Sequence, residues 1–254
     1  MIVDLSHHNG IVGWGLLLDS GIEAAFVKAS DGYFMAPNYT GHIDPQFQNN
    51  WTALGNNAAI RGAYHFLRLD YDRGVIRPNL FQQADIFADT VQPVDTDMVV
   101  LDIEPPHAEI AYLGREGVRT RTLAALNIFE EKLGRKPIIY TAQWWWGEYF
   151  TDLDDLSDYD LWSAHYWTIY NNKPLSPFAK PQHVSGFGDS IFWQYSMYGK
   201  VPGVAGSVDL NYYLGDIPLE DYVGLDPTTP PVPPTIPPDT IELDSGQSVT
   251  VRAK

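Results

Sequence analysis

Apolar positions in this chain fall into short runs separated by longer amphipathic stretches. The runs Ile2–Leu5, Ala24–Ala29, Gly62–Leu67, Met98–Glu104, Pro137–Thr141, Leu161–His165 and Ile191–Tyr195 are rich in β-branched and aromatic residues and read as strands. Helical patterns lie between them. Asp44–Asn57 opens on Asp-Pro, an N-cap followed by proline at the first helical position. Asn79–Val91 follows another proline. Glu116–Leu133 carries Leu123, Leu126, Phe129 and Leu133 near helical period, with Gly134 as its C-cap. Strand–helix alternation of this kind implies an α/β fold with parallel strands and helices outside. Seven or eight strands over roughly 220 residues favour a closed, TIM-like barrel over an open sheet. The last third has strands but few helical patterns, so the barrel is expected to be irregular there.

The pattern breaks at Asp226. Residues 226–238 read Asp-Pro-Thr-Thr-Pro-Pro-Val-Pro-Pro-Thr-Ile-Pro-Pro, the composition of an extended, semi-rigid linker. Three parts are therefore expected: a domain over 1–225, the linker over 226–238, and a tail over 239–254. Within the tail, Ser248–Val251 alternates like a strand, but sixteen residues are too few to bury a core of their own. The tail reads as a truncated module, as a strand that pairs with another module or chain, or as disordered.

Charge and composition narrow the function. The 254 residues include 32 acidic against 16 basic ones, a net charge of −16, which argues against nucleic acid or an anionic membrane surface as partner. There is no cysteine, so disulfides and cysteine-based metal sites are excluded. No stretch approaches ~20 consecutive apolar residues. The N-terminus runs straight into the first strand pattern, and no secretory signal is read there.

The chemistry centres on Asp102 and Glu104. They close an apolar run that two prolines, Pro105 and Pro106, stop abruptly. Residues two apart on a strand project to the same side. Two carboxyls held side by side repel each other, and their pKa values separate. One then stays protonated while the other stays charged, as glycosidic cleavage requires. In a parallel barrel, functional residues gather at the C-terminal strand ends. Asp4 ends the first strand there, and Asp209 lies after the strand carrying Trp193-Gln194-Tyr195. Tyr64, Phe66, Tyr140, Tyr166, Trp167 and Trp193 sit near the same ends, flat faces suited to a sugar ring. Each residue also has a plainer reading. Asp4 serves equally as a cap and Asp209 as an Asx-turn. The aromatics serve as core, and Lys28 either offsets a carboxylate cluster or forms a structural ion pair. Of Trp144-Trp145-Trp146, at the start of an outer helix, at least one ring is expected to pack inward. His7-His8 has no metal-binding spacing, and no phosphate loop or Gly-x-Ser-x-Gly elbow occurs.

The full set resembles the Ch-type lysozymes, the family-25 glycoside hydrolases. The matching segments are Val3–His8, Phe26–Ser30, Arg61–Phe66, Leu101–Pro105, Pro137–Thr141, Leu161–Tyr166, Trp193–Ser196 and Val208–Asn211. Each is weak alone; eight in order over about Met1–Leu214 are specific. The resemblance implies a barrel of five β/α units followed by three strands. It implies a muramidase that cuts the β-1,4 bond after N-acetylmuramic acid in bacterial peptidoglycan, with no metal or other cofactor. Glu104 is implied as general acid, and Asp102 as its partner steadying the substrate's N-acetyl group. Asp4 and Asp209 are implied in the surrounding carboxylate network, and Tyr64, Phe66, Tyr140, Tyr166 and Gln194 as groove residues. Direct nucleophilic attack by Asp102 or Asp209, or an inverting route through water, stays open. Two departures bear on one groove wall: Asp31 stands where the family usually has Glu, and the loop from Asp31 to Asp44 is longer than expected. The enzyme would act on the cell wall, delivered by a phage or from a bacterium. The alternatives are a metal-dependent deacetylase using Asp4, His7, Asp102 and Asp209 as ligands, or a wall-binding module without catalysis.

Overall fold

The computed structural model describes residues 1–33, 42–57, 59–70, 72, 78–150, 156–166 and 179–224, together with the backbone of two strands at 239–243 and 247–251. Eight strands close into a barrel in chain order: β1 (Ile2–Leu5), β2 (Ala24–Asp31), β3 (Ile60–Phe66), β4 (Met98–Asp102), β5 (Ile138–Thr141), β6 (Leu161–Ala164), β7 (Phe192–Gly199) and β8 (Val208–Tyr213). Neighbours from β1 to β7 pair parallel, while β8 runs antiparallel to both β7 and β1 and closes the ring. Five helices follow the first five strands: α1 (Trp14–Asp19), α2 (Phe47–Asn56), α3 (Leu80–Val91), α4 (His107–Leu133) and α5 (Gln143–Tyr149). The irregular α/β barrel and its five-plus-three arrangement are as the sequence and the resemblance imply.

The two-residue period of the strands sorts the core into two shells. Ile2, Ala24, Phe26, Ile60, Met98, Val100, Ile138 and Phe192 fill the barrel interior. The alternate residues Val3, Ala25, Val27, Val99, Leu101 and Ile139 face outward and pack under the helices with Leu54, Phe87, Leu126 and Phe129. Inside, Phe26 stacks on Trp162 at 4.3 Å and meets Phe192 edge-on at 5.2 Å. This plug needs Gly62, because a Cβ there would lie 2.3 Å from Phe26 Cδ1. A final short helix, α6 (Leu219–Tyr222), joins the same interior cluster through Leu219.

Several boundaries differ from those expected. The helix expected at Asp44–Asn57 begins at Phe47. Asp44 accepts the His7 N–H and side chain instead of starting the helix, and a turn through Pro45 comes first. The pattern at Glu116–Leu133 is the second limb of α4. Gly114, at φ 66°, breaks the helix, and a first limb from His107 precedes it. At α3, Asn79 caps the helix with Gln82 reaching back. Val208–Tyr213 is a strand that the apolar runs did not mark. The backbone of β9 (Asp239–Leu243) pairs antiparallel with that of β10 (Gln247–Val251) as a separate two-stranded sheet. The expected linker at 226–238, Trp167, and most of the loop between Asp31 and Asp44 lie outside the described residues.

Candidate active site

The inward parity that carries apolar residues at the bottom of the barrel carries polar ones at its C-terminal mouth. Asp102 is one step beyond Val100 on the inward face of β4, and stands level with Phe66 on β3 and Tyr140 on β5. Lys28 on β2 stands level with Tyr64 on β3. Asp4 on β1 faces Asp209 on β8 directly across an antiparallel pair. Asp209 is therefore part of a strand, not of a segment following one. These residues, with Glu104 just beyond β4 and Tyr166 beyond β6, line a cavity of about 300 Å³. Ser6, His8, Trp162 and Met197 line it too. Sequence reasoning gave these four no role, although Ser6, His8 and Trp162 fall within segments quoted for the resemblance. A larger groove of about 860 Å³ runs outside the barrel along α2 and α3 and contains none of the converging carboxyls.

Gln194 is placed differently from a groove residue. It is buried behind the wall, where its side-chain oxygen accepts from Tyr140 Oη at 2.8 Å and from Tyr166 Oη at 2.9 Å. Its Nε2 donates to Asp4 Oδ2 at 3.0 Å. Asn211 Nδ2 donates to the same oxygen at 2.8 Å, while Trp162 Nε1 donates to Asn211 Oδ1. One amide frame thus orients Asp4 and two tyrosines. Lys28 forms an ion pair with Asp31 at 2.8 Å and also lines the cavity, so both of its readings apply. His7 is committed to Asp44 at 2.8 Å. Among the described residues, no group of three or more His, Asp or Glu side chains is arranged to hold a metal ion.

Burial of four carboxyls in one mouth shifts them upward. Burial first, then the Glu104 charge, pushes Asp102 well above the carboxylate range. Glu104 rises to about 7, from burial and then from Asp4, with Asp102 and Lys28 offsetting part of the rise. Asp209 rises to about 8, from burial and then Asp4. Asp4 rises by burial, opposed by its Asn211 and Gln194 donors. Tyr64 and Tyr140 are pushed well up by burial and the carboxylates, so they remain neutral donors. At neutral pH the Asp102–Glu104 pair holds a proton. One atom stands apart. Asp102 Oδ1 is buried and finds no hydrogen-bond partner among the described residues.

All of this mouth except Asp209 lies within a stretch that matches a known sequence family. Residues 3–204 match the model of the glycosyl hydrolases family 25. The chain belongs to that family. This family-25 member is a glycoside hydrolase of the lysozyme type. It is 32% identical over 220 residues to Lysozyme M1 of Streptomyces globisporus, covering 84% of this chain and 67% of that protein. Its fold superposes on the bacterial lysozyme of Streptomyces coelicolor with a TM-score of 0.70 at 29% identity, covering 88% of this chain and 94% of the other. A family-25 glycosyl hydrolase from Bacillus anthracis gives 0.65 at 25% identity, covering 87% and 90%.

Proposed function

We propose that this family-25 hydrolase is a peptidoglycan muramidase that cleaves the β-1,4 bond between N-acetylmuramic acid and N-acetylglucosamine. The observation that carries the residue assignment is the unequal Asp102–Glu104 pair. The pair holds a proton at neutral pH, and Glu104, with its carboxyl raised to about 7, is the member partly open to the cavity that can pass that proton on. It serves as general acid to the leaving oxygen. In the reactive form, with that proton on Glu104, Asp102 carries the pair's charge. Its unpartnered Oδ1 is available to the N–H of the substrate's acetamido group. Held that way, the acetamido oxygen attacks the anomeric carbon as the glycosidic bond breaks, and Glu104 gives its proton to the departing oxygen. Water, deprotonated by Glu104, then opens the cyclic intermediate. This is the substrate-assisted variant of the two-carboxylate scheme. Asp4 and Asp209 hold the charge balance around the pair. Tyr64, Tyr140 and Tyr166 supply neutral hydroxyls, and Phe66 an apolar face. Residues 1–225 form the catalytic domain, 226–238 tether the tail, and the site of action is the cell wall.

Mass spectrometry of purified walls digested by the enzyme tests the reading. Fragments with reducing-end N-acetylmuramic acid are expected. Reducing-end N-acetylglucosamine, or sugars that have lost acetyl groups without chain cleavage, would overturn it. Activity is expected to survive a strong chelator. Anomeric analysis of the first product by NMR separates retention from inversion.

A further inference from the structure

The β2 strand contains an irregularity that re-aims one side chain. Its register against β3 shifts between Lys28 and Ser30: Lys28 stands level with Tyr64, Ser30 with His65 and Asp31 with Phe66. On a regular strand, residues three apart face opposite sides. The bulge takes up one residue, so Lys28 and Asp31 come to the same side as Tyr64 and Phe66, while Ser30 turns outward and bonds His65. Asp31 is buried and its carboxylate is fully engaged. Oδ2 takes Lys28 Nζ at 2.8 Å, and Oδ1 takes Arg68 Nε at 3.0 Å and the Tyr33 N–H at 2.9 Å. Both cations also lie over the Phe66 ring, Lys28 at 4.8 Å and Arg68 at 4.3 Å. Arg68 is anchored further by Glu109 at 3.7 Å.

Resting on the muramidase reading, we infer that Asp31 and Arg68 are positioning residues for Lys28: the bulge, the carboxylate and the guanidinium together fix the ammonium at the edge of the Asp102–Glu104 pair and set how strongly it offsets that pair's negative charge. Among the described residues that line the cavity, Lys28 stands beside four carboxyls, Asp4, Asp102, Glu104 and Asp209. Without Asp31, the ammonium is expected to be drawn toward the Asp102–Glu104 carboxyls; without Arg68, Asp31 is expected to hold it more strongly. The groups facing the pair are Asp4 on β1, His8 on the turn after it, Lys28 and Asp31 on β2, Tyr64 on β3, Arg68 beyond it, Tyr140 on β5, Tyr166 beyond β6 and Asp209 on β8. Of these, the Asp31–Arg68 set acts on the pair with two opposite signs. The Asp31 charge raises Asp102 and the Arg68 charge lowers it.

The test is the pH profile of wall clearing, read on the basic limb where the pair loses its last proton. Asp31→Asn is expected to move that limb down by about half a pH unit or more, and Arg68→Met to move it up. Asp31→Glu, which keeps the charge, is expected to leave it within a fraction of a unit. In a Lys28→Met background, the Asp31→Asn shift is expected to shrink to its direct field alone. Shifts of the same sign, or a uniform loss of rate with an unmoved profile in both Asp31→Asn and Arg68→Met, would overturn the inference. Wild-type enzyme that releases no muramoyl reducing ends at any pH would instead refute the activity on which it rests, so the two failures are distinct.

Discussion

Glu104→Gln is expected to abolish wall clearing and at the same time stabilise the fold, by an amount that grows with pH. Glu104 is held at about 7 in the folded chain against 4.5 for an ordinary glutamate. The folded state therefore binds more protons than the unfolded state between those values. Stability falls as pH rises through that window, the reverse of a salt-bridged carboxylate. The full shift corresponds to about 3 kcal/mol above pH 7 and to under about 1 kcal/mol near pH 5. Part of the Glu104 side chain is open to the cavity, and solvent screening reduces the upper figure to roughly 1–3 kcal/mol. Glutamine cannot ionise and is close in shape. By differential scanning calorimetry, a chain of this size should gain roughly 2–4 °C per kcal/mol at pH 8, and much less at pH 5. A melting difference between Glu104→Gln and wild type that does not change with pH would refute the claim that burial strains this carboxyl. So would a variant less stable than wild type at pH 8.

Three further outcomes are expected. Asp102→Asn keeps the shape of the pair but removes its charge, and should lower kcat by about 100-fold or more with KM changed only a few-fold, measured on soluble glycan fragments. Gln194→Glu loses the donor to Asp4 and places a fifth carboxyl behind the wall, so steady-state assays should find it less active than Gln194→Ala. Gly62→Ala forces a methyl against Phe26 and should lower the melting temperature through a cost of about 1–3 kcal/mol, leaving the ionisation of the site unchanged.

What was legible in the sequence followed the two-residue period of strands. Asp102 was readable because Met98, Val100 and Asp102 share one face and the prolines end the run at the barrel mouth. The strand β8 was not, because its pattern is inverted. Asp209 and Asn211 take part in the site inside, while Leu210 and Tyr212 are the alternate residues. A scan for apolar runs passes over a strand whose interior face is polar. The inward direction of Asp31 was hidden for another reason. Counting residues from Lys28 sends Asp31 outward, and only the bulge at the β2–β3 register reverses it. Gln194 was found by resemblance, but its task depends on three side chains from β1, β5 and the end of β6, a convergence that no local pattern encodes.

The carboxyls in and around this mouth can be ranked by how far the protein itself satisfies them. Asp44 receives the His7 N–H and ring and the Gln46 N–H. Asp31 receives a lysine, an arginine and a backbone N–H. Asp4 receives two side-chain amides on one oxygen. Each of these is held as part of the framework, and each has little left to offer a ligand. Asp102 is buried like the others, yet its Oδ1 has no partner among the described residues. A buried acceptor left open costs about 1–3 kcal/mol. A fold that supplies amide donors to Asp4 through Gln194 and Asn211 has the means to satisfy Asp102 as well. That it leaves this oxygen open, beside a carboxyl poised near neutrality, is what favours Asp102 and Glu104 as the proposed reacting pair over the carboxyls around them.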